Sequence, residues 1–250
     1  MRNKLLDKLA KEGDTFTVQE ALDMSDLKRE SLNTLLSRLE KRGWIERIEK
    51  GKYMIVPLGS EKGKYTLDEF VLGSTLVDPS CIGYWSALNY HGLTEQIPTT
   101  VFVQTTSRKK QREKKIFGVD FKIIKLKKEK FFGKESFWSN NEQVDITDKE
   151  KTIVDCLDKL QYCGGIIEIA KGIRSGDFDE EKILEYIDRI GNTGVLRRFG
   201  YLCDLYGLNI DIPSIESRNY LLLDPTMPKK GDKSSKWRLT INLDKKELKV

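Results

Sequence analysis

The chain has 250 residues, 38% of them apolar and 33% charged, with a net charge of +5. That length holds one large domain or two modest ones, and the composition suits a folded chain with a well-solvated surface. No apolar run is long enough to span a bilayer and no apolar signal core opens the chain, while one histidine and four scattered cysteines (Cys81, Cys156, Cys163, Cys203) leave no zinc ligand set, so a cytoplasmic protein with reduced thiols and no metal or cofactor is expected.

Residues 3–11 read as a first helix with Leu5, Leu6 and Leu9 on its core side, broken at Gly13-Asp14. Thr17-Val-Gln-Glu20 is a capping box, with Phe16 and Ala21 placed as a hydrophobic staple. It starts a short second helix over residues 17–23, and residues 24–27 are the turn that follows. The third helix carries Leu32, Leu35, Leu36 and Leu39, a spacing that lays the leucines along one stripe. Lys28, Arg29, Asn33, Thr34, Ser37, Arg38 and Lys41 fall on the other side. These side chains can bond phosphates and base edges, with Arg38 and Lys41 assigned to phosphates. Gly43 closes the helix. Two strand-like runs, residues 44–48 and 52–56, then flank Glu49-Lys50-Gly51. Helix, turn, helix and basic hairpin is the order of a winged helix-turn-helix, with Arg47, Lys50 and Lys52 placed on the wing.

A domain boundary is expected over residues 57–63, dividing a DNA-binding domain (1–60) from a second domain (61–250). The second begins with a helix over residues 67–76. A helix within residues 79–92 is closed by Gly92, and strands follow at residues 101–106 and 119–126. In the latter, Phe121 and Ile123 alternate, but Ile124 and Leu126 continue on the other parity, which predicts a bulge near Ile123. Thr147-Asp-Lys-Glu150 reads as a second capping box, opening a helical region over residues 147–207. Its apolar stripes are Ile153, Val154, Leu157 and Leu160; residues 166–173; Ile183, Leu184, Ile187 and Ile190; and Val195, Leu196, Phe199 and Leu202. Strands at residues 220–223 and 237–243 end the chain, with a polar, mobile stretch over residues 228–236. The fold class expected is α+β: a winged helix, mixed strands over residues 61–146, the helices, and C-terminal strands over residues 218–250.

Charge is unevenly placed. Residues 108–130 hold eleven basic and three acidic side chains, a local +8, leaving −3 for the rest. Arg108, Lys109, Lys110, Arg112, Lys114 and Lys115 therefore form a second candidate patch, for nucleic acid or for an acidic protein surface. The bland reading of the same run is an exposed, solubilising hairpin. Asp145, Asp148, Glu150 and Lys151 raise the alternative of a metal-dependent nuclease, although acids in a first helical turn also suit the helix dipole. His91, at a helix end, is explained by the same dipole.

Residues 85–98 (Trp85-Ser-Ala-Leu-Asn-Tyr-His-Gly-Leu-Thr-Glu-Gln-Ile-Pro98) followed by Val101-Phe-Val-Gln-Thr105 resemble the central signature of AbiEi-family antitoxins. So do Asp148-Lys-Glu-Lys-Thr-Ile-Val-Asp155 ahead of Tyr162-Cys-Gly-Gly165, and Gly191-Asn192 leading into Arg197-Arg-Phe-Gly-Tyr201. The resemblance covers roughly residues 1–207. It implies a repressor of its own operon in a type IV toxin–antitoxin (abortive infection) system, binding inverted repeats of double-stranded DNA. It also implies a nucleotidyltransferase-like toxin of the AbiEii type as functional partner, opposed without a lasting complex.

Overall fold

A computed structural model describes residues 4–57, 68–139 and 142–249. The predicted boundary over residues 57–63 lies outside the described residues except for Pro57.

The N-terminal module holds α1 (Lys4–Glu12), β1 (Thr15–Thr17), α2 (Val18–Asp23), α3 (Arg29–Lys41), β2 (Ile45–Glu49) and β3 (Lys52–Ile55). Thr17 and Glu20 complete the capping box in both directions. Thr17 also ends β1, a strand too short to register as a pattern; it pairs antiparallel with β3 in a sheet ordered β1-β3-β2. Leu32, Leu36 and Leu39 are buried with Leu6, Ala21 and Ile45, each leucine contributing about 1.5–3 kcal/mol by leaving water. Past the C-cap Arg42, Gly43 takes φ +70°. The amides of Gly43 and Trp44 bond back to Glu40 and Leu39 at 3.0 Å, which turns the chain into the wing.

The remainder is built on α4 (Glu69–Thr75), β4 (Cys81–Ile82), α5 (Tyr84–Tyr90), β5 (Thr100–Thr105), β6 (Glu113–Ile116), β7 (Val119–Lys125), β8 (Lys134–Ser139) and β9 (Glu142–Thr147). Its central sheet runs β6-β7-β5-β4-β9-β8, parallel at β5/β7 and β4/β9 and antiparallel elsewhere. The bulge expected near Ile123 is absent: β5 and β7 stay in register from Thr100↔Asp120 to Thr105↔Lys125. Phe121 and Ile123 pack on one face of the sheet with α4, and Ile124 and Leu126 pack on the other with the helices. Burial on both faces explains the mixed parity.

The helical side holds α6 (Lys149–Asp158), α7 (Ile166–Arg174), α8 (Glu180–Ile190) and α9 (Thr193–Tyr206). Asp179 and Asn192 cap α8 and α9, and Gly191 and Gly207 end them in the left-handed region. The box predicted at Thr147 is corrected by one residue: Asp148 caps α6, accepting from the Lys151 amide at 2.8 Å. A carboxylate aimed at the first turn prevails over the hydroxyl, which bonds Thr152 instead.

After α9 come β10 (Leu221–Leu222), β11 (Asp232–Ser234) and β12 (Leu239–Ile241), ordered β10-β12-β11. The stretch expected to be mobile over residues 228–236 thus contributes a strand, because β12 supplies an antiparallel partner. The Arg198 guanidinium on α9 holds the end of β10 through the carbonyl of Leu223 (2.9 Å) and α6 through that of Leu157 (3.0 Å). No helix among the described residues is long and apolar enough to cross a membrane.

Candidate nucleic-acid interface

The outward face of α3 is open. Lys28, Arg29, Asn33, Thr34, Ser37, Arg38 and Lys41 are all exposed. Among the described residues none of the four cations makes an ion pair, and the Thr34 hydroxyl bonds only the Glu30 carbonyl of its own helix, at 3.1 Å. Lys28 is the N-cap residue of α3, so it and Arg29 stand at the positive end of the helix. Glu30 shares this exposed face. An acid carries no basic signal in the sequence, yet a carboxylate here can accept from a cytosine amino group and exclude other bases. Arg42, a further exposed cation, sits 5.7 Å from the Trp44 ring centroid and extends the basic edge toward the wing.

The wing divides its charges. Arg47 and Lys50 are exposed. Lys52 turns inward, donating to the Thr75 carbonyl and pairing with Glu49 at 3.3 Å. Glu49 in turn accepts from Lys109 at 3.1 Å and from Lys114. Burial raises the Glu49 carboxyl, but the hydrogen bonds and charges of Lys114 and Lys109 outweigh it and hold the group below its ordinary 4.5. Ile48 and Met54 join Val71, Leu72, Leu76 and Ile116 in one apolar cluster. On the other flank, Glu142 accepts from the Thr15 amide at 2.6 Å and its hydroxyl at 3.0 Å. The winged helix is therefore seated on the central sheet at two points, leaving α3 outermost.

The second predicted patch is not one surface. Lys109 and Lys114 serve the Glu49 junction, and Lys109 also reaches the Leu76 carbonyl at 2.6 Å. Lys115 pairs with Asp120 across the hairpin at 3.3 Å. Arg108, Lys110 and Arg112 remain exposed, the last two lining a separate cleft away from the wing.

The acidic residues behind the nuclease alternative are likewise dispersed. Asp145 pairs with Lys134 at 2.6 Å; Asp148 caps α6 and accepts from the Tyr186 hydroxyl at 3.0 Å. Glu150 pairs with Lys182 at 2.8 Å, and Lys151 is buried against Asp155. Among the described residues no three or more His, Cys, Asp or Glu side chains group as metal ligands. His91 is the C-cap of α5, its ring Nε2–H donating to the Thr147 carbonyl at 2.7 Å.

With α3 free and the wing beside it, the comparisons with known proteins meet the geometry at the same segment. Residues 3–56 match the family of AbiEi antitoxin transcriptional regulators. That AbiEi-like segment is the whole winged helix. The fold as a whole is similar to the crystal structure of the Rv2827c protein from Mycobacterium tuberculosis, at 13% identity and a TM-score of 0.68, over 98% of this chain and 92% of that one. No curated protein matches the sequence.

Proposed function

We propose that this protein is a cytoplasmic, non-catalytic DNA-binding autorepressor and the antitoxin of a type IV toxin–antitoxin operon. The observation that carries the reading is the α3 face, where amide and hydroxyl side chains stand exposed beside four cations that make no ion pair among the described residues. In this reading α3 enters the major groove of an inverted-repeat operator. Asn33, Thr34 and Ser37 face base edges, Arg38 and Lys41 meet phosphates, and Arg47 and Lys50 on the wing hold the backbone beside them. The functional partner is a nucleotidyltransferase-like toxin, counteracted without a stable complex.

The test is a gel shift on the promoter of the protein's own operon. Arg29→Ala combined with Arg38→Ala is expected to abolish the specific shift while circular dichroism stays native. An unchanged shift from the folded variant refutes the DNA-binding reading. Co-expression with the toxin gene checks the antitoxin half separately: growth that is not restored overturns that half alone.

A further inference from the structure

The cleft lined by Lys110 and Arg112 lies between the β6–β7 hairpin and the turn after α6, with a volume of about 640 Å³. That is within the roughly 300–1,000 Å³ typical of small-molecule sites. Lys122, Lys125, Lys159 and Tyr162 complete its functional lining, and no described residue of the winged helix contributes. Along β7, Phe121 and Ile123 point to the apolar cluster shared with the wing, whereas Ile124 and Leu126 point to the helical side, where Tyr162 stands. The cleft is thus separate from the α3 face.

Its charge sets it apart from the rest of the sheet. Most lysines around the sheet have carboxylate partners: Lys109 and Lys114 hold Glu49, and Lys134 holds Asp145. In the cleft, the one acid is Glu113, and it is occupied by Lys122 at 2.8 Å. Among the described residues Lys110, Arg112, Lys125 and Lys159 make no ion pair. Four cations without carboxylate partners around one concavity raise its positive potential, which favours an anion of comparable charge there. Beside them Tyr162 is fixed edge-on by Tyr84 (centroids 5.2 Å apart) and lies against Phe102 (6.0 Å), with the Lys122 ammonium 5.4 Å from its ring. It offers a rigid, partly apolar wall next to the cations.

We infer that this cleft is a binding site for a small polyphosphate ligand of the size and charge of a nucleoside triphosphate. A triphosphate carries about three to four negative charges at neutral pH. Arg112 supplies a bidentate donor fork and the lysines supply point charges. The site goes beyond the operator-binding role and is tested without DNA.

The experiment titrates the full chain with each of the four common ribonucleoside triphosphates, with inorganic tripolyphosphate and with single-stranded oligonucleotides of increasing length, by calorimetry. Arg112→Ala with Lys125→Ala, both at exposed positions, is expected to weaken triphosphate binding about tenfold or more and to leave the operator shift intact. Arg29→Ala with Arg38→Ala should do the reverse. Tighter binding of a nucleoside triphosphate than of tripolyphosphate identifies the nucleotide as the source; equal binding identifies inorganic polyphosphate. Absence of binding to either triphosphate, or binding that the cleft variant leaves untouched, overturns the inference. Oligonucleotides that displace both triphosphates, with affinity rising with length, overturn it in favour of a strand-binding groove.

Discussion

The α3 face and the β6–β7 region look alike as strings of basic residues and behave differently as surfaces. On α3 the cations are all exposed, because the leucines occupy the inner stripe of an amphipathic helix. In β6–β7, alternation along the strand sends Lys114 inward to Glu49 while Lys115 points out to Asp120. A local charge of +8 in the sequence therefore overstates what a partner meets there. Free charge is a tertiary property; it depends on which carboxylates the fold brings within reach.

Four measurements press on that contrast, beyond the operator test above. The largest effect is expected where a cation is engaged most deeply. The Lys151 side chain is fully buried against Asp155, which also accepts from Gln104 at 2.7 Å. Lys151→Ala leaves that carboxylate unpaired and should cost about 3–5 kcal/mol, read as a fall in the urea midpoint. A loss no larger than that of an exposed lysine would show that internal pairing is not what separates the two regions.

Next comes the wing junction. Glu49→Ala strands Lys109 and Lys114 and should destabilise by about 1.5–3 kcal/mol, the usual range for hydrogen bonds to charged groups. It also frees those lysines, so non-specific DNA affinity should rise at low salt, a result no simple destabilisation produces.

Acid titration gives a smaller signal with a definite sign. Glu49 is held below its ordinary 4.5, so its contribution is present above that pH and lost as pH falls through the folded value. Glu142, lifted by burial despite its bonds to Thr15, acts the other way: its contribution is present below 4.5 and lost as pH rises through its folded value. Glu49→Gln should therefore flatten the acid side of the stability profile, and Glu142→Gln should not. Identical acid limbs for the two variants would contradict this assignment.

The smallest effect is a change of slope. Lys41→Ala, on the free face, should reduce the slope of log affinity against log salt by about 0.9, the value of one phosphate contact. Lys115→Ala, already paired with Asp120, should leave the slope unchanged. Equal slopes for the two variants would erase the distinction between the faces.

Much of the N-terminal module was legible because its signals are local. The capping box at Thr17, the leucine spacing in α3 and the glycine after it each act within a few residues. The caps at Asp179 and Asn192 are local in the same way. The β8–β9 hairpin was missed: β8 is an edge strand with mostly exposed side chains, so it carries no apolar alternation to find. β11 was missed because its three polar residues become a strand only when β12 lies beside them. Arg197 and Arg198 look like binding residues in a sequence, yet both are buried and bond backbone carbonyls of the C-terminal segment.

The order of residues by itself determined where the helices of the N-terminal module fall, which side of α3 is apolar, and that a basic hairpin follows it. Those features arise from hydrogen bonds and side-chain periodicities spanning a turn or two. Only the tertiary structure decided which basic residues remain available. Lys109 and Lys114 meet Glu49 across about sixty positions of chain, a pairing set by the packing of the wing on the sheet. Electrostatic attraction acts through space, and distance in space is what folding decides.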